Sequence, residues 1–291
     1  MNIAILSRNP ALYSTQSLVK AARKRHHFVR VLDYMNCDVV IEKNDLQIYY
    51  HNQRIENIDA IIPRIGASVT RYGAAVIKQF EGKKIYSTLG SDALLNARDK
   101  LFCLQILAGA GIDVPKSIMS NNYLVFSDLI DMLGIPVIVK LLNGTHGLGV
   151  MLAEKKIMAE SIFETFFKTK QKAMLQEYIA EANGADIRIF VVDNKVVGVM
   201  QRQAKEGDFR SNLHRGASSS IVPITEKERY IALKSAEVLG LKIAGVDVLR
   251  SARGPLILEV NASPGLEGIE TTTGNDIAGK IIHLIERNVV V

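Results

Sequence analysis

Only two cysteines stand among the 291 residues, Cys37 and Cys103, and nothing around them has metal-ligand spacing. They make no disulfide framework, so a reducing, cytoplasmic setting is the expectation. No apolar run approaches the roughly 20 residues that cross a bilayer, and no membrane partner is expected. Met1-Asn2-Ile3-Ala4-Ile5-Leu6 is too short and too uncharged for a secretion signal and reads as a buried first strand. No GxGxxG follows that strand, so it carries no dinucleotide fingerprint. Three glycines, Gly144, Gly147 and Gly149, crowd one loop, but no Gly-Lys-Ser/Thr closes it as a Walker A loop would. The chain shows no internal repeat, no low-complexity tract, and no Cys–His or Ser–His pattern that marks a side-chain nucleophile.

What is present is ordinary soluble-protein composition in a chain long enough for two or three compact lobes. Lys plus Arg exceed Asp plus Glu by 36 to 30, a tilt that favours an anionic partner such as a nucleotide or an acidic peptide. The basic residues are spread out. The densest stretch, Lys20 to Arg30, reads as the solvated face and end of one helix, and no direct nucleic-acid partner is expected.

Strands alternating with helices over 1–92 predict a small parallel-sheet α/β domain, with strands at 3–6, 28–32 and 59–63, helices at 14–25 and 74–80, and hairpin excursions between 39 and 55. A second lobe, 93–172, opens on a helix over 93–110 broken near Arg98-Asp99-Lys100 and ended by Gly111. It continues through a β-branched strand at 136–142 into the glycine loop and a helix at 157–168. A third lobe, 173–291, has a strand at 174–178 and a hairpin, 186–192 with 196–202, around Asp193-Asn194. After a polar loop over 205–217 come a helix at 226–239, two strands around Arg253-Gly254 and a closing helix at 277–287.

In the strand ending Leu258-Glu259-Val260-Asn261, residues two apart share a face, so Glu259 and Asn261 point one way while Leu258 and Val260 point into the core. Two hard oxygen ligands on one face form half of a Mg²⁺ site. Asp247, set among Val246 and Val248, lies near Glu259 if the two strands pair, and two carboxylates in apolar strands repel unless a cation lies between them. Either acid alone reads as a plain surface residue. Together with Asn261 they make a candidate metal set.

Lys140 ends the run Val137-Ile138-Val139, either as a snorkelling edge lysine or as a point charge for phosphate. The glycine loop after it is a plain hairpin loop, or one that lets backbone N–H groups approach phosphate oxygens. Gln176-Glu177-Tyr178-Ile179 closes a strand where lobes two and three meet, a place whose backbone can read an adenine edge. Asp186 and Arg188 repeat the two-apart pattern, and the loop 202–216 offers Arg210, Ser211 and Asn212 in succession, a set suited to an anion with several oxygens if the loop is more than solvated surface.

Taken in order, these pieces resemble the ATP-grasp superfamily over 93–291, through Lys100, Lys140, the glycine loop, Glu177-Tyr178, Asp247, and Glu259 with Asn261. The whole chain is similar to the RimK family of glutamate ligases. That likeness rests on Ile5-Leu6-Ser7-Arg8, Ile62-Pro63-Arg64-Ile65-Gly66, Ala97-Arg98-Asp99-Lys100, the loop 205–216, and Glu259-Val260-Asn261-Ala262-Ser263-Pro264-Gly265-Leu266-Glu267-Gly268-Ile269-Glu270. Asn143 and His146 depart from the family's glycine loop.

The resemblance implies an α/β (α+β) ATP-grasp fold, two lobes sandwiching ATP behind the small N-terminal domain. It implies that Lys100, Lys140, Glu177, Tyr178, Asp186, Arg210, Ser211 and Asn212 contact ATP, and that Asp247, Glu259 and Asn261 hold two Mg²⁺ or Mn²⁺ ions. The activity it implies is ATP-dependent addition of L-glutamate to a protein or peptide C-terminus, the family's characterised acceptor being ribosomal small-subunit protein six. In that mechanism the acceptor carboxylate attacks the γ-phosphate, and the glutamate amine then attacks the acyl phosphate. Arg210 is the candidate catalytic residue, steadying the phosphoryl group. Arg188, Arg202, Lys205 and Arg215 would draw an acidic tail if they lined one cleft. A homo-oligomer is expected. Two other readings stay open: the same machinery acting on a small-molecule, cofactor or carrier-protein acceptor, and a non-catalytic ATP-binding module, against which the intact metal set argues.

Overall fold

Strands buried on both faces read as unbroken apolar runs, and the N-terminal region of the computed structural model, which describes residues 1–122, 125–142 and 149–289, follows that rule. It runs β1 (Asn2–Leu6), α1 (Tyr13–Lys24) and β2 (Phe28–Leu32), then an antiparallel excursion of β3 (Cys37–Glu42), β4 (Asp45–Tyr50) and β5 (Gln53–Arg54). It returns as β6 (Ala60–Pro63), α2 (Thr70–Gly82) and β7 (Tyr86–Ser87). The main sheet has the order β2-β1-β6-β7 and every pairing in it is parallel.

The expected helix break is real. α3 (Ser91–Arg98) and α4 (Lys100–Gly109) part at Asp99, whose carboxylate accepts from the N–H groups of Leu101 and Phe102 at 2.9 and 3.0 Å. Gly111, at φ +75°, supplies the left-handed turn beyond the helix. The middle of the chain then gives β8 (Ser117–Ile118), α5 (Phe126–Leu133), β9 (Val137–Leu141), β10 (Val150–Ala153), α6 (Lys156–Lys168) and β11 (Ala173–Glu177). Its sheet, β10-β9-β11-β8, is antiparallel and packs on a separate core that includes Phe126, Ile130, Val139, Phe163 and Leu175. β11, expected in the third lobe, pairs with β9 and β8 of this sheet.

The C-terminal part holds β12 (Ala185–Val192), β13 (Lys195–Gln203), β14 (Ser218–Ser220), α7 (Glu226–Val238), β15 (Ile243–Ser251), β16 (Gly254–Asn261), α8 (Glu267–Thr273) and α9 (Ile277–Asn288). Asp193 and Asn194 turn β12 into β13 with φ of 52° and 55°, the two left-handed positions of a tight hairpin. A capping box of Thr225 and Glu228 opens α7. The five-stranded sheet, β14-β13-β12-β15-β16, is covered on both faces. Ile187, Ile189, Val246 and Val248 pack with α7 and with Ile61 and Phe80 of the N-terminal region. Phe190, Val192 and Met200 pack with Ile281 and Ile285 of α9 and with Ile3 and Ile5 of β1. These shared cores hold the ends of β1 and β6 against the strand that carries Glu259.

Alternation alone misplaced Leu258. On the β15–β16 pair Asp247 faces Glu259 but Val248 faces Ile257, so Leu258 is the extra residue of a β-bulge and is half-buried, while Ile257 is fully buried. A bulge inserts one residue and re-aims its neighbours. No helix among the described residues is long and apolar enough to cross a membrane.

Candidate active site

Polar side chains at alternate positions of four adjacent strands collect on one face of the C-terminal sheet. The register sets Asp186 of β12 opposite Arg202 of β13, Arg188 of β12 opposite Asp247 of β15, and Asp247 opposite Glu259 of β16. Arg202 donates through Nε and Nη2 to Asp186 at 2.7 and 2.6 Å, and its Nη2 also lies 3.0 Å from Asp247 Oδ2. Arg188 forks Asp247, Nε to one oxygen and Nη2 to the other, the second at 2.7 Å. The Ser211 hydroxyl donates to Asp186. All this is nearly dry: Asp247 is 1% exposed, Asp186 3% and Arg202 5%.

Burial opposes ionisation of Asp247, but Arg188 and Arg202 outweigh it and hold the carboxyl at about 2. For Asp186 burial prevails over Arg202, and with the Asp247 charge close by its carboxyl is pushed up. One guanidinium, that of Arg202, thus serves two carboxylates. Of the four cations expected along one basic cleft, two are committed here. Arg188 and Arg202 are engaged by these acids, Lys205 is exposed, and the Arg215 side chain lies outside the described residues.

The three predicted metal residues do converge. Asn261 Nδ2 lies 3.0 Å from Glu259 Oε1 and 3.5 Å from Asp247 Oδ2. Two carboxylates and an amide make a hard donor set of the kind Mg²⁺ or Mn²⁺ takes, once the amide turns its oxygen inward. Among the described residues no three His, Cys, Asp or Glu gather into a metal-holding group, so an amide would be the third donor. The Arg188 fork on both Asp247 oxygens leaves Glu259 the more accessible carboxylate of the pair.

Two half-buried lysines feel the charge of Glu259. Lys140 of β9 donates to Gln176 Oε1 at 2.5 Å, and Gln176 Nε2 in turn donates to Ser117 Oγ at 2.9 Å, so β11 and β8 fix the ammonium. Burial lowers Lys140 to about 8, against the opposing pull of Glu259 and with Lys100 adding to the fall. Lys100, first residue of α4, donates to the Leu142 carbonyl at 2.8 Å and is lowered mainly by burial, with Glu259 opposing. Of the glycine loop, residues 143–148, with Asn143 and His146, lie outside the described residues. Gly149 has φ +71°, and a Cβ there would meet Leu141 Cδ1 at 2.5 Å, so only glycine fits.

Other predicted contacts are otherwise engaged. Glu177 accepts the Lys116 N–H at 2.5 Å and pairs with Arg253, tying β11 to the β15–β16 turn. Tyr178 meets Phe209 edge-on at 6.4 Å. Arg210 bonds Asp208 through Nε and Nη2 at 2.9 and 3.1 Å, which holds Asp208 at about 2, and lies over the Phe209 ring. Asn212 is half-buried ahead of a short turn at Leu213–Arg215. Sequence reasoning missed Gln176 as the holder of Lys140 and Arg202 as the shared cation. The available signal for Arg202 was a charge at an alternating position inside an apolar strand.

A lysine pair within reach of the Glu259 charge and a hard oxygen set of Asp247, Glu259 and Asn261, in a chain with a parallel N-terminal sheet followed by two antiparallel ones, fit an ATP-grasp protein. The fold matches that of the ATP-grasp ligase PsnB complexed with minimal precursor, Mg, and ADP, with a TM-score of 0.74 over 98% of each chain at 20% identity. The chain belongs to the RimK family: the RimK-like ATP-grasp domain matches residues 97–285 and the RimK PreATP-grasp domain residues 1–94. It is 53% identical over 289 residues to a probable alpha-L-glutamate ligase of Ectopseudomonas mendocina, covering 99% of this chain and 96% of that one. A probable alpha-L-glutamate ligase of Vibrio cholerae is 51% identical with the same coverage. The chain is an ATP-dependent ligase.

Proposed function

We propose that this ligase joins L-glutamate to the C-terminal carboxylate of a protein or peptide acceptor through an acyl phosphate. The observation that carries the reading is the Glu259 centre, whose charge acts on Lys100 and Lys140 and which Asp247 and Asn261 adjoin. Lys100 and Lys140 bind the triphosphate, and Glu259, Asn261 and Asp247 hold the divalent ion. Bound Mg²⁺ or Mn²⁺ supplies charge neutralisation at the phosphates. Asp186, Ser211 and Arg202 keep Asp247 in place from behind. No cysteine competes as nucleophile: Cys37 and Cys103 are buried, and burial pushes both thiols up to about 12.

The glutamate specificity follows the named relatives, and a peptide acceptor is in keeping with the precursor bound to PsnB. The resemblance points to the tail of ribosomal small-subunit protein six; the cytoplasmic setting and a homo-oligomer belong to the same reading. Incubating that protein, an acidic peptide and free amino acids with ATP, Mg²⁺ and glutamate, followed by mass spectrometry, tests it. Glutamate must appear on the polypeptide C-terminus. Addition to small molecules only would transfer the chain to the small-molecule ligases, and no product with any acceptor would favour a non-catalytic module.

A further inference from the structure

Arg64 and Arg98 lie in distinctive stretches of the sequence, yet nothing in the ATP and metal set uses them. Arg64 follows the last residue of β6, and its Nη2 donates to the Pro264 carbonyl at 2.7 Å, in the turn just after Asn261. Arg98 ends α3, and its Nη2 donates to the Ile65 carbonyl at 2.8 Å. Both side chains are half-buried, and neither pairs with a carboxylate among the described residues. Burial, with the charge of Arg98 adding to it, lowers Arg64 to about 10. Two like charges drawn out of water side by side are unfavourable until an anion joins them.

Their place in the fold says which side of the reaction they serve. The chain leaves β1 for β2 on one flank and reaches β6 on the other, so the crevice beyond the carboxyl ends of β1 and β6 is the switch point where open α/β sheets take ligands. Arg64 stands in that crevice, its N–H bonded to the Leu6 carbonyl at 2.9 Å. Arg8, exposed, lies two residues past β1. The charge of Glu259 acts on Lys140, Lys100 and Arg98, and that of Arg98 acts on Arg64. Arg98 bonds the carbonyl of Ile65, the residue after Arg64, and ends α3 two positions before Lys100. Lys100 reaches Leu142 just past β9, so the cations lead from the phosphate lysines to the end of β6. The carboxylate to be activated must meet ATP at the lysine end. The far end is left for the other anion of the reaction, the amino acid whose amine attacks.

We propose that Arg64, backed by Arg98, receives a carboxylate of the incoming glutamate at the β1–β6 crevice and thereby sets the preference for an acidic amino acid. This rests on the glutamate-ligase reading above. A guanidinium can fork a carboxylate with two parallel N–H bonds, which a lysine cannot.

The test compares wild type with Arg64→Gln, Arg64→Lys and Arg98→Gln, varying glutamate, ATP and acceptor separately and offering glutamine as the uncharged analogue. In Arg64→Gln the KM for glutamate should rise about 10- to 100-fold, the scale of one charge-assisted hydrogen-bonded contact. The glutamate-over-glutamine preference should shrink by a similar factor, with the KM for ATP unchanged. Arg64→Lys should recover part of both. If loss of the Pro264 bond lowers the thermal midpoint of Arg64→Gln, Arg98→Gln keeps that bond and must still raise the glutamate KM alone. Unchanged glutamate KM and selectivity in the folded variants overturns the inference, as does a rise confined to ATP or acceptor. Wild type that incorporates no glutamate overturns the functional reading and this inference with it, whereas normal incorporation with indifferent variants overturns this inference alone.

Discussion

Arg188 Nη2 sits 2.7 Å from Asp247 Oδ2 while Nε of the same guanidinium meets Oδ1, so the acid read from the sequence as a metal ligand is also half of a buried ion pair. Arg202 closes on it from the next strand at 3.0 Å. Asp247 therefore does structural work that Glu259 does not share.

The two acids should separate on mutation. Asp247→Asn leaves Arg188 and Arg202 with less negative charge in a dry site, and breaking one partner of such a pair costs about 3–5 kcal/mol. Its carboxyl is depressed to about 2, so its contribution is present above the unfolded carboxylate range and is lost as pH falls towards 2. Glu259→Gln, at a half-buried position bonded by Asn261 and paired with no arginine among the described residues, should keep the wild-type urea midpoint but lose activity by something on the order of 10²–10³. An unshifted midpoint in Asp247→Asn would refute the ion-pair argument, and near-normal turnover in Glu259→Gln would refute the site.

Gly245 gives an independent handle on the same pair. A Cβ there would lie 2.8 Å from Pro264 Cβ and 3.3 Å from Arg188 Cδ and Nη1. The proline ring cannot swing away, so Gly245→Ala should displace Arg188 from Asp247 and lower stability by about 1–3 kcal/mol. Turnover should fall with it. Chemical denaturation and a ligation assay read the two effects, and a variant neutral in both would show that the glycine is incidental.

How much of this was readable beforehand depends on the kind of signal. Strand and helix periodicity gave the parallel N-terminal sheet, the break at Asp99 and the Asp193-Asn194 hairpin, because each rests on local chemistry. The Asp247–Glu259 pairing followed from one turn. Leu258 failed because a bulge cancels strict alternation, and α8 and β14 were missed because Glu-Gly-Ile-Glu-Thr-Thr-Thr and Ser-Ser-Ser carry no apolar period. Arg210 and Glu177 were legible as polar residues in suggestive places, but their partners, Asp208 and Arg253, are set by loop closure and by a turn 76 residues away.

With Lys140 on the phosphates as proposed, nucleotide binding should be sensitive to pH. Its folded value of about 8 lies below that of a free lysine, so between about 8 and 10.4 the unfolded chain carries the extra proton and this residue's contribution to stability rises with pH. Binding runs the other way, since a phosphate needs the protonated ammonium. Affinity for a non-hydrolysable ATP analogue, measured by calorimetry, should weaken as pH rises past 8. Lys140→Arg should flatten that dependence, and Lys140→Ala should be weak throughout. An affinity independent of pH and of the side chain would return Lys140 to the role of a strand-edge residue.

The atom that takes the phosphoryl group can be identified by isotope. The described site offers ammonium, guanidinium, amide and carboxylate groups around Glu259, and both thiols lie buried and protonated. Among the described carboxylates of the site, Asp247 is occupied by two arginines, Asp186 by Arg202 and Ser211 and Glu177 by Arg253, and Glu259 is assigned to the proposed metal set. On the proposed reading the nucleophile is the acceptor's own carboxylate, and its attack on the γ-phosphate transfers one carboxylate oxygen into the acyl phosphate bridge. When the glutamate amine displaces phosphate, that oxygen leaves with it. An acceptor peptide labelled with ¹⁸O in its terminal carboxylate should therefore yield phosphate carrying one ¹⁸O for each glutamate joined, read by mass spectrometry of both products. Unlabelled phosphate alongside extended peptide would exclude the acyl phosphate and require a different activated species. Labelled phosphate that depends on Glu259 and Lys140 would tie the step to this centre.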